Sequence, residues 1–97
     1  MEPGIPDISI SDVVLSTAGH DQGQLFYCVA ADDQFVWLAD GKGRTLDKPK
    51  RKKRKHVQKV LRAETRVALK LRNSDKVLNS ELRRDLAFLI REIQSMT

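Results

Sequence analysis

Three short apolar runs divided by turn-forming residues organise the first forty positions of the chain. Val13-Val14-Leu15-Ser16-Thr17 is compact and β-branched, as a strand requires. The cluster Ala18-Gly19-His20-Asp21-Gln22-Gly23 then predicts a turn. A second strand is expected over Gln24–Ala31, a tight polar turn at Asp32-Asp33-Gln34, and a third strand over Phe35–Ala39. Asp40-Gly41-Lys42-Gly43 stops it. Strands this short, separated by so few turn residues, predict an antiparallel meander. Apolar residues occupy both faces of the second and third runs. One-sided alternation would describe an open sheet with a wet face. Two-sided burial instead predicts a small, strongly curved barrel with something covering its outside. Arg44–Leu46 and Arg51–Val60 are expected to supply the remaining short strands. Pro49, which cannot donate to a ladder, puts any pairing near it at an edge or an interruption.

Past Leu61 the period changes. Residues 63–71 read as a short helix ending near Asn73-Ser74, although Thr65 and Val67 also suit a strand. Leu82, Leu86, Leu89, Ile90 and Ile93 form an apolar stripe at helical spacing, with Asn79 or Ser80 as the expected N-cap. The stripe can close the barrel's exposed face, or dock on another protein or a second copy. Arg83, Arg84 and Arg91 lie largely off it and are available to a phosphate backbone. The expected fold is therefore mainly β, a small barrel with a C-terminal helical extension. Its segments are a flexible lead-in over 1–9, a barrel with the basic segment over 10–62, and helices over 63–97.

Charge sharpens this picture. The 97 residues carry 18 Lys and Arg against 13 Asp and Glu, a net charge of +5. That total hides a strong asymmetry. Residues 1–41 hold seven acids and no Lys or Arg, whereas residues 42–62 hold eleven bases and one acid. An acidic body beside one intensely basic segment predicts an oriented partner surface, with a single edge facing a polyanion. The length fits one domain. No run approaches the roughly 18–20 apolar residues of a membrane span, and no secretory leader is expected. Cys28 is the single cysteine, which excludes an internal disulfide and fits a reducing, cytoplasmic setting.

The densest chemistry is Lys48-Pro49-Lys50-Arg51-Lys52-Lys53-Arg54-Lys55-His56, with Lys42, Arg44 and Lys59 extending it on either side. Repulsion in such a run favours counter-anions, and nucleic-acid phosphate is the natural source. A nuclear-localisation signal, an acidic protein partner or plain solvation are the competing readings. With no helix-turn-helix, zinc-ligand or basic-zipper pattern, RNA is expected rather than DNA. Gly19 and Gly23 allow positive φ and close approach of backbone amides to phosphate, with His20 as a further contact. Ser16, His20 and Asp21 lack the buried acid and strained nucleophile turn of a hydrolase triad. Cys28, His20 and His56 fall short of a structural zinc set. Tyr27 and Trp37 suit the core better than base stacking, and no nucleotide phosphate loop is present. No enzymatic activity, cofactor, metal or small-molecule substrate is expected.

The order Val13-Val14-Leu15-Ser16-Thr17-Ala18-Gly19-His20-Asp21-Gln22-Gly23, an apolar strand, Asp32-Asp33-Gln34-Phe35-Val36, a Gly-containing turn and a Lys/Arg run resembles the KOW-domain RNA-binding proteins. Among these it is most similar to large-subunit ribosomal proteins of archaeal and eukaryotic type and their short bacterial relatives. The resemblance spans roughly residues 10–60. Gly19 and Gly23 match the motif glycines and Lys50–His56 the basic segment, whereas Gln24-Leu25-Phe26 stands where many KOW motifs have another glycine. It implies an SH3-like β-barrel, no catalysis, and binding to structured RNA, above all ribosomal RNA. Cytoplasmic ribosome association beside neighbouring ribosomal proteins follows as an expectation. The alternative class is a protein-interaction module acting through the barrel and terminal helix.

Overall fold

The computed structural model describes residues 7–96. Most of the expected lead-in, residues 1–6, lies outside them. Five antiparallel strands form one sheet: β1 (Asp12–Ser16), β2 (Leu25–Ala31), β3 (Phe35–Ala39), β4 (Lys50–Lys53) and β5 (Val57–Arg62), in the order β4-β3-β2-β1-β5. Helices α1 (Arg66–Arg72) and α2 (Asn79–Ser95) follow. The first three strands lie within a residue of their predicted bounds. Arg44–Leu46 is not a strand. Asp40 accepts the Lys42 and Arg44 amides on Oδ1, both at 2.9 Å, and this folds the segment back on itself.

The basic segment supplies both edge strands. Lys53 and Val57 belong to opposite edges of the sheet, yet only the 3-10 turn Arg54–His56 separates them. Four inter-strand steps in a flat sheet put the edges about 19 Å apart. Four Cα steps reach only about 15 Å, so the sheet must coil to bring this corner together. Register shifts at Val13/Val14 and Cys28/Ala30 provide local bends. The corner is fastened by Thr17 N–H donating to His56 O at 2.9 Å and Arg54 N–H to Gln34 O at 3.0 Å.

Coiling gives each face of the sheet its own apolar cluster. Inside are Ile8, Val14, Phe26, Cys28, Val36, Leu38 and Val57. Ile8 falls in the predicted lead-in but is 1% exposed, because the concave face needs an apolar plug. On the opposite face, Val13, Tyr27 and Ala39 meet Ala63, Val67 and Ala68 and the α2 leucines Leu82, Leu86 and Leu89. The period-2 alternation of Phe26, Tyr27 and Cys28 thus feeds two clusters, which is why those strands carry apolar residues on both faces.

Tertiary burial accounts for much of the stability of α2. Its three buried leucines contribute on the order of 2 kcal/mol each, against the marginal stability of an isolated helix of this length. Its start differs from expectation. Asn79 is the first helical residue, and its Oδ1 accepts the Leu46 amide at 2.8 Å instead of capping. Glu81 reaches back to the Leu78 amide at 3.0 Å and supplies half of a capping box. Helix α1 starts at Arg66, three residues inside the expected segment, because Thr65 is its N-cap, its hydroxyl accepting the Ala68 amide at 3.2 Å. That hydroxyl also donates to Asp85 of α2 at 2.7 Å. Tyr27 donates to the same Asp85 oxygen, so β2, the α1 cap and α2 meet in one polar knot. Burial first, then the Asp85 carboxylate, pushes the Tyr27 hydroxyl pKa up.

Candidate functional site

The basic run does not present one continuous surface, because β4 distributes it by alternation. Lys50 and Lys52 pair opposite Leu38 and Val36, while Arg51 and Lys53 stand opposite Trp37 and Phe35 on the other face. Arg51 lies over the Phe35 ring, 4.6 Å from its centroid. Lys53 and Lys55 are exposed, and Arg54 donates through Nε to Asp32 O at 2.8 Å. His56 is half-buried in the 3-10 turn, and Lys48 is exposed ahead of β4.

Lys52 is the buried member of the run. Its side chain is 8% exposed, and its ammonium pairs with Asp21 and donates to Ala18 O at 2.7 Å. Ser16 Oγ donates to the same Asp21 oxygen at 2.8 Å. Burial pushes the Asp21 pKa up, but Lys52 and Ser16 outweigh it and hold the carboxyl below its ordinary value of 3.8. Lys52 therefore braces the turn between β1 and β2. Gly19 and Gly23 in that turn adopt φ of +87° and +91°, as their spacing predicts.

The braced turn forms one side of an open groove of about 890 Å³. The Asp40–Arg44 turn and α2 form the other side, and Lys50 lies along β4 between them. Five bases and two acids line it. Both acids are engaged by neighbouring donors: Asp21 by Lys52 and Ser16, Asp40 by the amides of its own turn. Lys42, Arg44 and Lys50 from the expected set, and Arg83 from α2, line the groove and form no ion pair among the described residues. The exposed His20 joins them. Lys48, Arg51, Lys53, Arg54, Lys55, His56 and Lys59 do not line it. Lys59, on β5, pairs with the buried Asp12 at 3.4 Å.

The buried Cys28 thiol is pushed up to about 12, chiefly by burial, which makes it a core group rather than a nucleophile. Tyr27 is fully buried. Trp37 is half-buried in a shallow apolar depression beside the end of α1. Among the described residues no helix is long and apolar enough to cross a membrane, and no cluster of His, Cys, Asp or Glu is arranged to hold a metal ion. In comparisons with family models and with curated proteins, nothing matches the chain.

Proposed function

We infer that the protein is a non-enzymatic RNA-binding protein acting at ribosomal RNA of the large subunit, in the cytoplasm and associated with the ribosome. The observation that carries this reading is the groove with Lys42, Arg44, Lys50 and Arg83 at its margin and both of its carboxylates already engaged. Unpaired cations on a rigid frame favour phosphate, whose binding releases condensed counter-ions. The coiled five-stranded sheet supports an SH3-like barrel of KOW type, since a single 3-10 turn links its two edge strands. Backbone contacts position such a protein, and the shape of the RNA supplies specificity.

The test is co-sedimentation with ribosomes and binding to a labelled RNA stem-loop by the triple variant Lys42→Glu, Arg44→Glu, Lys50→Glu. The fold is followed by circular dichroism. Binding is expected to disappear with the spectrum unchanged. In the unaltered protein, log affinity should fall against log salt with a slope near −0.7 to −0.9 per neutralised phosphate. A flat salt profile rejects the mechanism. A second reading, docking of a protein partner, rests on Phe88, which is 51% exposed on α2. Ribosome co-sedimentation that survives the triple variant but is lost in Phe88→Ala favours that reading.

A further inference from the structure

Helix α2 does more than cover the sheet. At about 3.6 residues per turn, its three arginines (Arg83, Arg84 and Arg91) fall on one flank, and Glu81, Asp85 and Glu92 on the other. The acidic flank has internal partners. Glu81 binds Lys70 of α1 at 2.9 Å, and Asp85 binds Tyr27 and Thr65. The basic flank has no ion pair among the described residues, and its first member, Arg83, lines the groove.

The helix and the Asp40–Arg44 turn are built against each other. Gly41 is buried at φ +80°, and a Cβ there would collide with the Asn79 carbonyl oxygen and the Arg83 backbone nitrogen. Asn79 Oδ1 holds the Leu46 amide on the same side. Close backbone approach at Gly41 therefore sets Lys42 and Arg44 in fixed relation to Arg83. His20 and Gln24 line the same groove, together with the apolar side chains of Leu25 and of Leu86 and Ile90 from α2.

We propose that this groove takes an unpaired RNA segment, with α2 as one wall of the site. Phosphates meet Arg83, Lys42, Arg44 and Lys50 at the margin, while a ribose or an unstacked base rests on Leu25 and Ile90. A free anion would have no use for the apolar lining, and a continuous duplex keeps its bases stacked away from it. Unpaired nucleotides present both a charged and an apolar side. Gln24 adds an amide able to meet a base edge.

The proposal rests on the RNA-binding reading, and the experiment separates the two. Anisotropy is measured across a salt series with a labelled RNA stem-loop carrying a bulge, the same stem fully paired, and polyglutamate. The bulged RNA is expected to bind more than tenfold tighter than the paired stem. Arg83→Ala, which keeps the Cβ beside Gly41, should lower the magnitude of the salt slope by about one phosphate, roughly 0.7–0.9. Arg83→Lys should retain the slope, and Arg84→Ala should leave it unchanged. Ala87→Arg, adding charge at an exposed groove position, should steepen it, a gain that unfolding cannot mimic. Equal affinity for the two RNAs, or a wild-type slope in both Arg83→Ala and Ala87→Arg, overturns the proposal while leaving general RNA binding intact. Failure of the unaltered protein to bind either RNA removes the functional reading beneath it. Tight polyglutamate binding with the same Arg83 dependence overturns it in favour of an acidic protein partner.

Discussion

The two edge strands come from the same basic segment, yet they differ in electrostatic character. On the β5 side, Lys59 pairs with Asp12, and Arg62 with Glu64 at 3.3 Å, the same carboxylate that Arg72 meets at 3.2 Å. On the β4 side, the single ion pair is the one buried beneath the Gly19 turn, and Lys50 and Lys53 have no carboxylate partner among the described residues. Exposed pairs such as Arg62–Glu64 contribute little to stability, so their strength does not set the two edges apart for a partner. The field they present does. A carboxylate beside each β5 base cancels most of its attraction for phosphate, whereas the β4 edge and the groove margin keep theirs. The placement of the acids therefore orients the surface as much as the basic run does.

The largest expected effect comes from breaking the one pair that β4 buries. Lys52→Met leaves the Asp21 carboxylate buried beside a hydroxyl and no cation, which costs about 3 kcal/mol, roughly a hundredfold in the folding equilibrium. The pH dependence carries its signature. Asp21 has a lowered pKa in the folded protein, so its stabilisation is present in full above its ordinary value of 3.8. That contribution is lost as the pH falls below 3.8 through the folded value. The deficit of Lys52→Met, measured by urea unfolding, should therefore be largest near neutrality and shrink in acid. A pH-independent deficit would mean that Lys52 acts through packing alone. Adding Asp21→Asn should recover part of the loss, because the buried charge is then gone.

An intermediate effect tests the two edges directly. Lys42→Gln with Lys50→Gln removes two groove cations, and RNA affinity should fall about tenfold at moderate salt. Lys59→Gln with Arg62→Gln removes the same formal charge from β5 and should change affinity less than twofold. Equal losses would show that total charge, not its arrangement, governs binding.

Much of this frame was legible in the chain. Dense β-branched and aromatic runs bounded by Gly, Asp and Gln mark β1 to β3 with little ambiguity. The stripe from Leu82 to Ile93 states which face of α2 is buried. The site was less legible, for physical reasons. Nothing in Lys50-Arg51-Lys52-Lys53 distinguishes the second lysine of that run, Lys52, from its neighbours, because its burial depends on Asp21, 31 residues away in sequence. Asn79 looks like a cap, but tertiary contact with Leu46 claims its side chain. Arg83 reads as one of three arginines off the stripe. It becomes part of the groove because Gly41 lets the turn approach α2, a contact that local periodicity does not encode. Period and turn chemistry are local signals, whereas the pairing of charges is a property of the folded arrangement.

The smallest effect concerns how α2 is fastened as the groove wall. Tyr27→Phe removes the hydroxyl that donates to Asp85 but leaves the hydrogen bond from Thr65 to the same carboxylate. One lost hydrogen bond to a charged acceptor costs about 1.5–3 kcal/mol, and the surviving partner places this case at the lower end. The urea midpoint should fall with an unchanged denaturant slope, which identifies a stability change without altered compactness. RNA affinity of the folded variant should stay within twofold of the unaltered protein, because Leu82, Leu86 and Leu89 still seat the helix and Gly41 still packs against it. A larger loss of affinity at preserved fold would assign the placement of Arg83 to the polar knot rather than to the apolar stripe. It would also make the contrast between the sheet edges depend on the angle of α2 as well as on where the acids lie.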